Sequence, residues 1–252
     1  MSEAPTDKSE RRHFRAKRAL FAVCLTLLAA ILFGLGTWQV QRLGWKRDLI
    51  ARVDQRVHAA AVPAPARPDW DKLNAAEGEY RRVSVEGMLA NDKETLVYAS
   101  TVLGPGYWVM TPLMLADGTA ILVNRGFVPT DRRDPASRRD GQISGPIEIT
   151  GLMRMTEPKG SLLQSNDDAA DRWYSRDVAA IAQKRGLGAV APYFIDAEAA
   201  ANPGGLPVGG LTVIRFPNNH LVYAITWYGL AVMVLALLMF ILRGEIGIRR
   251  RD

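Results

Sequence analysis

The spacing of apolar and charged positions divides this chain into two apolar ends and a mixed middle. From Ala19 to Val40 it reads ALFAVCLTLLAAILFGLGTWQV without one charged residue, and from Phe216 to Leu242 it is again free of Asp, Glu, Lys and Arg. A helix rises about 1.5 Å per residue, so about 20 apolar residues cross a hydrocarbon core of about 30 Å. Both stretches are long enough, which predicts transmembrane helices over 19–40 and 216–242. A cleaved signal peptide is the other reading of the first, with Arg11, Arg12, Arg15, Lys17 and Arg18 as its basic leader. The apolar run, however, continues into Gly34, Gly36, Thr37 and Trp38 with no A-x-A-like site directly after it, which favours an uncleaved anchor. The second stretch is too long for an ordinary buried core helix.

Between the spans, residues 41–215 change period. Leu49, Ile50, Val53 and Val57 recur at helical spacing, predicting an amphipathic helix over 46–60 that ends before the Pro-rich linker VPAPARP. Short β-type runs follow: RRVSVEGML, ETLVYAST, GYWVMTPLML, TAILVNRGFV and GPIEITGLM, separated by Asn-Asp, Gly-Pro-Gly, Asp-Gly and the loop DRRDPASRRDG. Strands in close succession with no helix between them pair antiparallel, so the middle is expected to be a small barrel or sandwich. A helix is predicted in SRDVAAIAQKRG, with Ser175 as N-cap and Gly186 as its stop. PYFIDA and LTVIRF are the last strand candidates. The fold class is thus α+β, with two membrane helices flanking an antiparallel β-rich domain.

Charge then sets orientation. Basic residues in the leader, 1–18, and Arg243, Arg249, Arg250 and Arg251 in the tail, 243–252, put both termini in the cytoplasm and the middle domain outside. The formal charge of +6 is carried largely by these ends, so it is a topological signal, and a nucleic-acid partner is not expected. Glu3, Asp7 and Glu10 in the leader are unlike an acid-poor transit peptide and point to a bacterial inner membrane with the domain in the periplasm. The single cysteine, Cys24, lies in the first apolar stretch, so no disulfide forms within the chain.

Candidate chemistry is sparse. No G-x-S-x-G, H-E-x-x-H, C-x-x-C or P-loop occurs, and nothing points to an enzyme. Met153 and Met155 have the M-x-M spacing of a thioether copper site, but on a strand they share one face and read as core packing. The three histidines are His13, His58 and His220. His220 is set apart: Pro217 favours extended backbone before it, and Asn218 or Asn219 can cap a helix starting there. At about 100° per residue, Tyr223, Ala224, Trp227 and Ala231 share its face, whereas Tyr228 points elsewhere. That face offers one nitrogen ligand, aromatic walls and small residues, which suits a heme edge whose propionates reach Arg42 or Arg215. Gly34, Gly36 and Thr37 would sit at the same level of the first span, and Ala30 with Gly34 makes a small-x-x-x-small pair. Close helix approach or a slot for a flat ligand would each explain these small residues. By physics alone, interface anchoring explains these Tyr and Trp residues, and the His beside them as a polar belt residue, better than a cofactor does, and one histidine does not specify a metal.

The motifs FGLGTWQVQRLGWKRDLI, GEYRRVSVEGML, GPGYWVMTPL, ILVNRGFVP, SLLQSND, RWYSRD, PYFID and NNHLVYAITWYGLA occur in that order from about Phe33 to Leu230. In this the chain resembles the Surf1 (Shy1) family of cytochrome c oxidase assembly factors. Phe127 departs from the pattern, where members often carry Trp. The resemblance implies two spans around an outer domain and a non-enzymatic role in placing heme a in subunit I of an aa3-type oxidase. It implies His220 as the heme ligand and metal-binding residue, with Tyr223 and Trp227 beside the cofactor, and as partners the oxidase subunit I, a heme a synthase and the lipid bilayer. The alternative is a membrane-tethered scaffold that stabilises nascent subunit I without binding heme. In either role GPGYWVMTP and VNRGFVP are docking-loop candidates, or else turns and core strands.

Overall fold

The computed structural model describes residues 6–161, 164–200, 202–214 and 216–249. The chain forms two compact units, Met1–Ala51 with Arg215–Asp252, and Arg52–Ile214.

The first unit is built from two helices, α1 (Thr6–His58), most of which lies in this unit, and α4 (His220–Arg249). Within them Arg12–His58 and His220–Arg243 are long and apolar enough to cross a membrane. No proline interrupts α1, and it stops shortly before Pro63 and Pro65, whose rings cannot continue a helix. Along α1, Leu25, Ala29, Leu32, Gly36, Gln39 and Leu43 are buried at three- and four-residue steps, as are Ala224 and Ala231 on α4. This is one helix face, and its small residues let two backbones approach closely. Ala30 and Gly34, the expected small pair, are exposed instead, and nothing lies within 4 Å of a Cβ built on Gly34. Gly36, about 160° from Gly34 around the helix, is the glycine at the seam.

The second unit is a β-barrel. Its strands are β1 (Val62–Pro63), β2 (Arg82–Leu89), β3 (Thr95–Thr101), β4 (Gly104–Met114), β5 (Ala120–Pro129), β6 (Pro146–Met155) and β7 (Val190–Ala197). The order is β1-β2-β6-β7-β5-β4-β3, and pairing of Met88 and Leu89 with Met114 and Leu113 joins β2 to β4 and closes the barrel. Closure removes most of the free strand edge. Most pairs are antiparallel as the close strand spacing implied, but β5 and β7 run parallel, as do the short β1 and β2. A short helix, α2 (Ala75–Gly78), precedes β2, and the chain reaches β7 after β6 and the helix α3 (Val178–Lys184), which gives it the length to return in the same direction as β5.

The motifs GPGYWVMTP and VNRGFVP are core strands, not docking loops: β5 is buried from Ala120 to Val128, and most of β4 with it. Ile121 and Val123 face a cluster with Val83, Leu113, Met153, Tyr193 and Ile195, while Leu122 packs on the other side with Trp173, Ile181 and Phe194. A strand covered on both faces is apolar throughout rather than alternating. Met153 is fully buried and Met155 packs against the same cluster, the packing role their shared face indicated.

Two local expectations are corrected. The N-cap of α3 is Asp177, whose carboxylate accepts from Ala180 N, while Ser175 Oγ donates to Glu157 O at 2.7 Å. An ionised carboxylate one residue before the helix outcompetes a hydroxyl already engaged elsewhere. Gly186 does end the helix: at φ 60° it donates to Gln183 O, and Leu187 N reaches Ala182 O. LTVIRF does not form a strand over 211–214, since β7 already lies beside β5 and Val208 makes the remaining bridge to Phe127. Arg215 of that run lies outside the described residues, as do Leu162 and Leu163 of SLLQSND and the tail residues Arg250 and Arg251.

Candidate functional site

The start of α4 gathers the polar groups of the helical unit. Asn219 O accepts from Tyr223 N, so the helix begins as Pro217 and the asparagines predicted, with His220 as its first residue. His220 is half-buried, and its Nδ1 lies 2.7 Å from Gln39 Oε1. Gln39 is 9% exposed, so water is not a ready substitute for this partner. Asn218 Oδ1, two residues before His220, is buried without a hydrogen-bond partner among the described residues.

Two turns further along α4, Tyr228 lies against α1. A Cβ added to Gly36 would stand 2.7 Å from Tyr228 Cε1, so only glycine admits the ring at this distance. Thr37 Oγ1 donates to Phe33 O at 3.0 Å, which leaves Tyr228 Oη to donate to Thr37 Oγ1 at 3.1 Å. Phe33 completes the contact, its ring 5.2 Å from that of Tyr228. Of the two explanations for the small residues, close helix approach holds at Gly36 and Thr37, where the protein's own tyrosine fills the space, while Gly34 faces away. Helical geometry had set Tyr228 aside from the His220 face, and the structure gives it the work of joining the helices.

Of the other residues on that face, Trp227 is half-buried and Tyr223 is 53% exposed. Arg42 lies with its guanidinium 4.0 Å over the Trp45 ring. Sequence reasoning passed over Gln39. Its signal was an amide inside an otherwise apolar run, and buried polar groups in such a segment need a partner.

A heme fits this arrangement in one respect and is excluded in another. His220 would offer a single imidazole through the ring nitrogen that Gln39 does not engage, and Trp227 shares its face by helical position. The closed Gly36–Tyr228 contact leaves no gap for a porphyrin at that level of the helix pair.

The β unit holds a second polar cluster, beside a cavity of about 440 Å³ lined by Tyr80, Trp108, Asn124, Arg154, Arg176 and Asp196 among others. Arg154 donates to Glu79 at 2.6 Å and to Asp196 at 3.0 Å, and Arg176 donates to Glu157 at 3.0 Å and to Asp196 at 3.0 Å. Asn124 donates to Asp196 at 2.8 Å. Burial would raise the Glu157 carboxyl, but the hydrogen bond and charge of Arg176, aided by Arg154, outweigh it and hold it below the usual carboxylate range. Two arginines against three carboxylates neutralise one another to within one charge. The cluster fastens β6, β7 and the segments before β2 and α3, and among the described residues no group of three or more His, Cys, Asp or Glu could hold a metal.

In chain order, a helix long and apolar enough to cross a membrane, a closed β-barrel and a second such helix define the class: an α+β protein with two candidate membrane helices flanking a barrel domain in sequence. Residues 26–232 match the sequence profile of the SURF1 family. The chain is 38% identical over 224 residues to Surfeit locus protein 1 of Homo sapiens, covering 82% of this chain and 72% of that protein. It is 37% identical over 232 residues to a SURF1-like protein of Monosiga brevicollis, covering 87% and 86%. The chain belongs to the SURF1 family, the cytochrome c oxidase assembly factors that its motifs resemble.

Proposed function

We propose that this protein is a non-enzymatic assembly factor for an aa3-type cytochrome c oxidase that binds heme a through His220 and assists its insertion into subunit I. The observation that carries the reading is the His220–Gln39 pair: a buried amide holds one ring nitrogen of the histidine that starts α4 and leaves the other for a ligand. Heme a would supply the iron that His220 would hold. The chain's own part is to hold with one ligand and so to release readily, with Trp227 and the exposed Tyr223 as flat neighbours. In this reading a heme a synthase is the donor and subunit I the acceptor. The protein sits in a bacterial inner membrane with both termini cytoplasmic and the barrel in the periplasm, as the basic flanks and acid-containing leader support.

The filled seam at Gly36 favours one other reading, a scaffold that stabilises nascent subunit I without heme. Both are tested by purifying parent and His220→Ala protein from cells that make heme a. Heme content and the absorption spectrum are expected to be lost in the variant. An unchanged spectrum would show the ligand assignment wrong, and copurified subunit I with no heme in the parent would establish the scaffold.

A further inference from the structure

We infer that Gln39 is a positioning residue that sets the tautomer of His220, so that the nitrogen presented to a metal is Nε2. The consequence for metal binding rests on the reading above, whereas the tautomer itself does not. An amide oxygen only accepts hydrogen bonds, and a neutral imidazole carries one N–H. With Gln39 Oε1 at 2.7 Å, His220 Nδ1 holds that hydrogen and Nε2 keeps the lone pair. With the amide oxygen facing the ring as it stands, the reverse tautomer would set two lone pairs against each other at this distance, and only turning the amide over would present its NH2 instead.

The structure also shows what keeps the two side chains opposed. Gln39 and Gly36 are three residues apart on one face of α1, and His220 and Tyr228 are two turns apart on α4. The Tyr228 contact with Gly36 and its hydrogen bond to Thr37 set the register of the two helices. Gln39 is thus a second support for a ligand that is itself on a helix terminus, the arrangement in which a partner to the non-ligating nitrogen orients the ring and raises its basicity.

The test uses the full chain, free of heme, labelled with nitrogen-15 at histidine in bilayer discs at a pH where imidazoles are neutral. His220 is assigned among His13, His58 and itself by its loss in His220→Ala. Two-bond nitrogen–proton couplings then report which ring nitrogen is protonated. The parent and Gln39→Glu, which keeps an acceptor, are expected to show the hydrogen on Nδ1, and Gln39→Leu is expected to lose that preference. Titration with heme a should then give an affinity at least about 10-fold weaker for Gln39→Leu than for Gln39→Glu, the usual lower bound for losing such a partner. A parent protonated at Nε2, or a tautomer unchanged in Gln39→Leu, overturns the inference. Should Gln39→Leu fail to fold, the parent and Gln39→Glu spectra still decide it. A parent with Nδ1–H that takes up no heme supports this inference while refuting the ligand assignment.

Discussion

Gly36→Ala should weaken the helix pair, and the structure gives the size. The new methyl carbon would lie 2.7 to 2.9 Å from three ring atoms of Tyr228, Cε1, Cδ1 and Cζ. Carbon atoms rest at about 3.5–4.0 Å, so ring and methyl must part by about 0.8 Å. The ring cannot simply swing aside, because its hydroxyl is bonded to Thr37 at 3.1 Å and Phe33 stands 5.2 Å from its centre. If α4 retreats by that amount, the 2.7 Å His220–Gln39 bond stretches to about the 3.5 Å at which a hydrogen bond fails. Overpacking costs about 1–3 kcal/mol and a lost hydrogen bond about 1, against about 1 kcal/mol gained from alanine's better helix propensity. The net is about 1–3 kcal/mol of destabilisation. Reversible unfolding of the purified chain in mixed micelles, with rising fractions of a denaturing detergent, measures it. The decisive comparison is the cycle of Gly36→Ala, Tyr228→Leu and the double variant. With the ring removed, alanine at 36 should cost nothing or stabilise, giving a coupling of about 1 kcal/mol or more. Additive effects, or a Gly36→Ala protein as stable as the parent with its His220 tautomer intact, would refute the argument.

The barrel offers two further tests. Arg138 and Glu94 form an ion pair with side chains 1% and 8% exposed, which pins the segment Pro135–Gly141. Arg138→Met should lower stability by about 3–5 kcal/mol by leaving the buried Glu94 carboxylate without its bonded ion-pair partner, with only the longer contact from Gln142 at 3.5 Å remaining, and Glu94→Leu added to it should recover much of the loss, both read from denaturant midpoints. Acid should also destabilise the barrel. Burial opposes ionisation of Glu157 and Asp171, yet Arg176 for the first, and Trp173 and Arg185 for the second, hold both carboxyls below their ordinary values. A depressed folded value means the unfolded chain binds protons first. The contribution is therefore complete above the unfolded carboxylate value of about 4 and is lost as pH falls through the lower folded values. Denaturation midpoints at descending pH should drop across that window, and Glu157→Gln should flatten the slope.

Sequence alone determined what depends on near neighbours. Charge-free length marks the two spans, and short β-rich runs mark β2 to β6 almost to the residue, because helix and strand periods are written within ten or twenty positions. Gly186 as a helix stop and the helix beginning at His220 are local in the same sense. Even here a nearby competitor misled: Asp177 took the cap expected of Ser175 once Ser175 found Glu157. Only the tertiary structure decided which residues meet. The parallel β5–β7 pair, the closure of β2 on β4, the choice of Gly36 over Gly34 at the seam, and Tyr228 as its filler all turn on distant contacts. His220 and Gln39 stand 181 positions apart, and no local period links residues at that separation. A hydrogen bond needs its partners within about 3.5 Å, and that proximity comes from the packing of one helix on another.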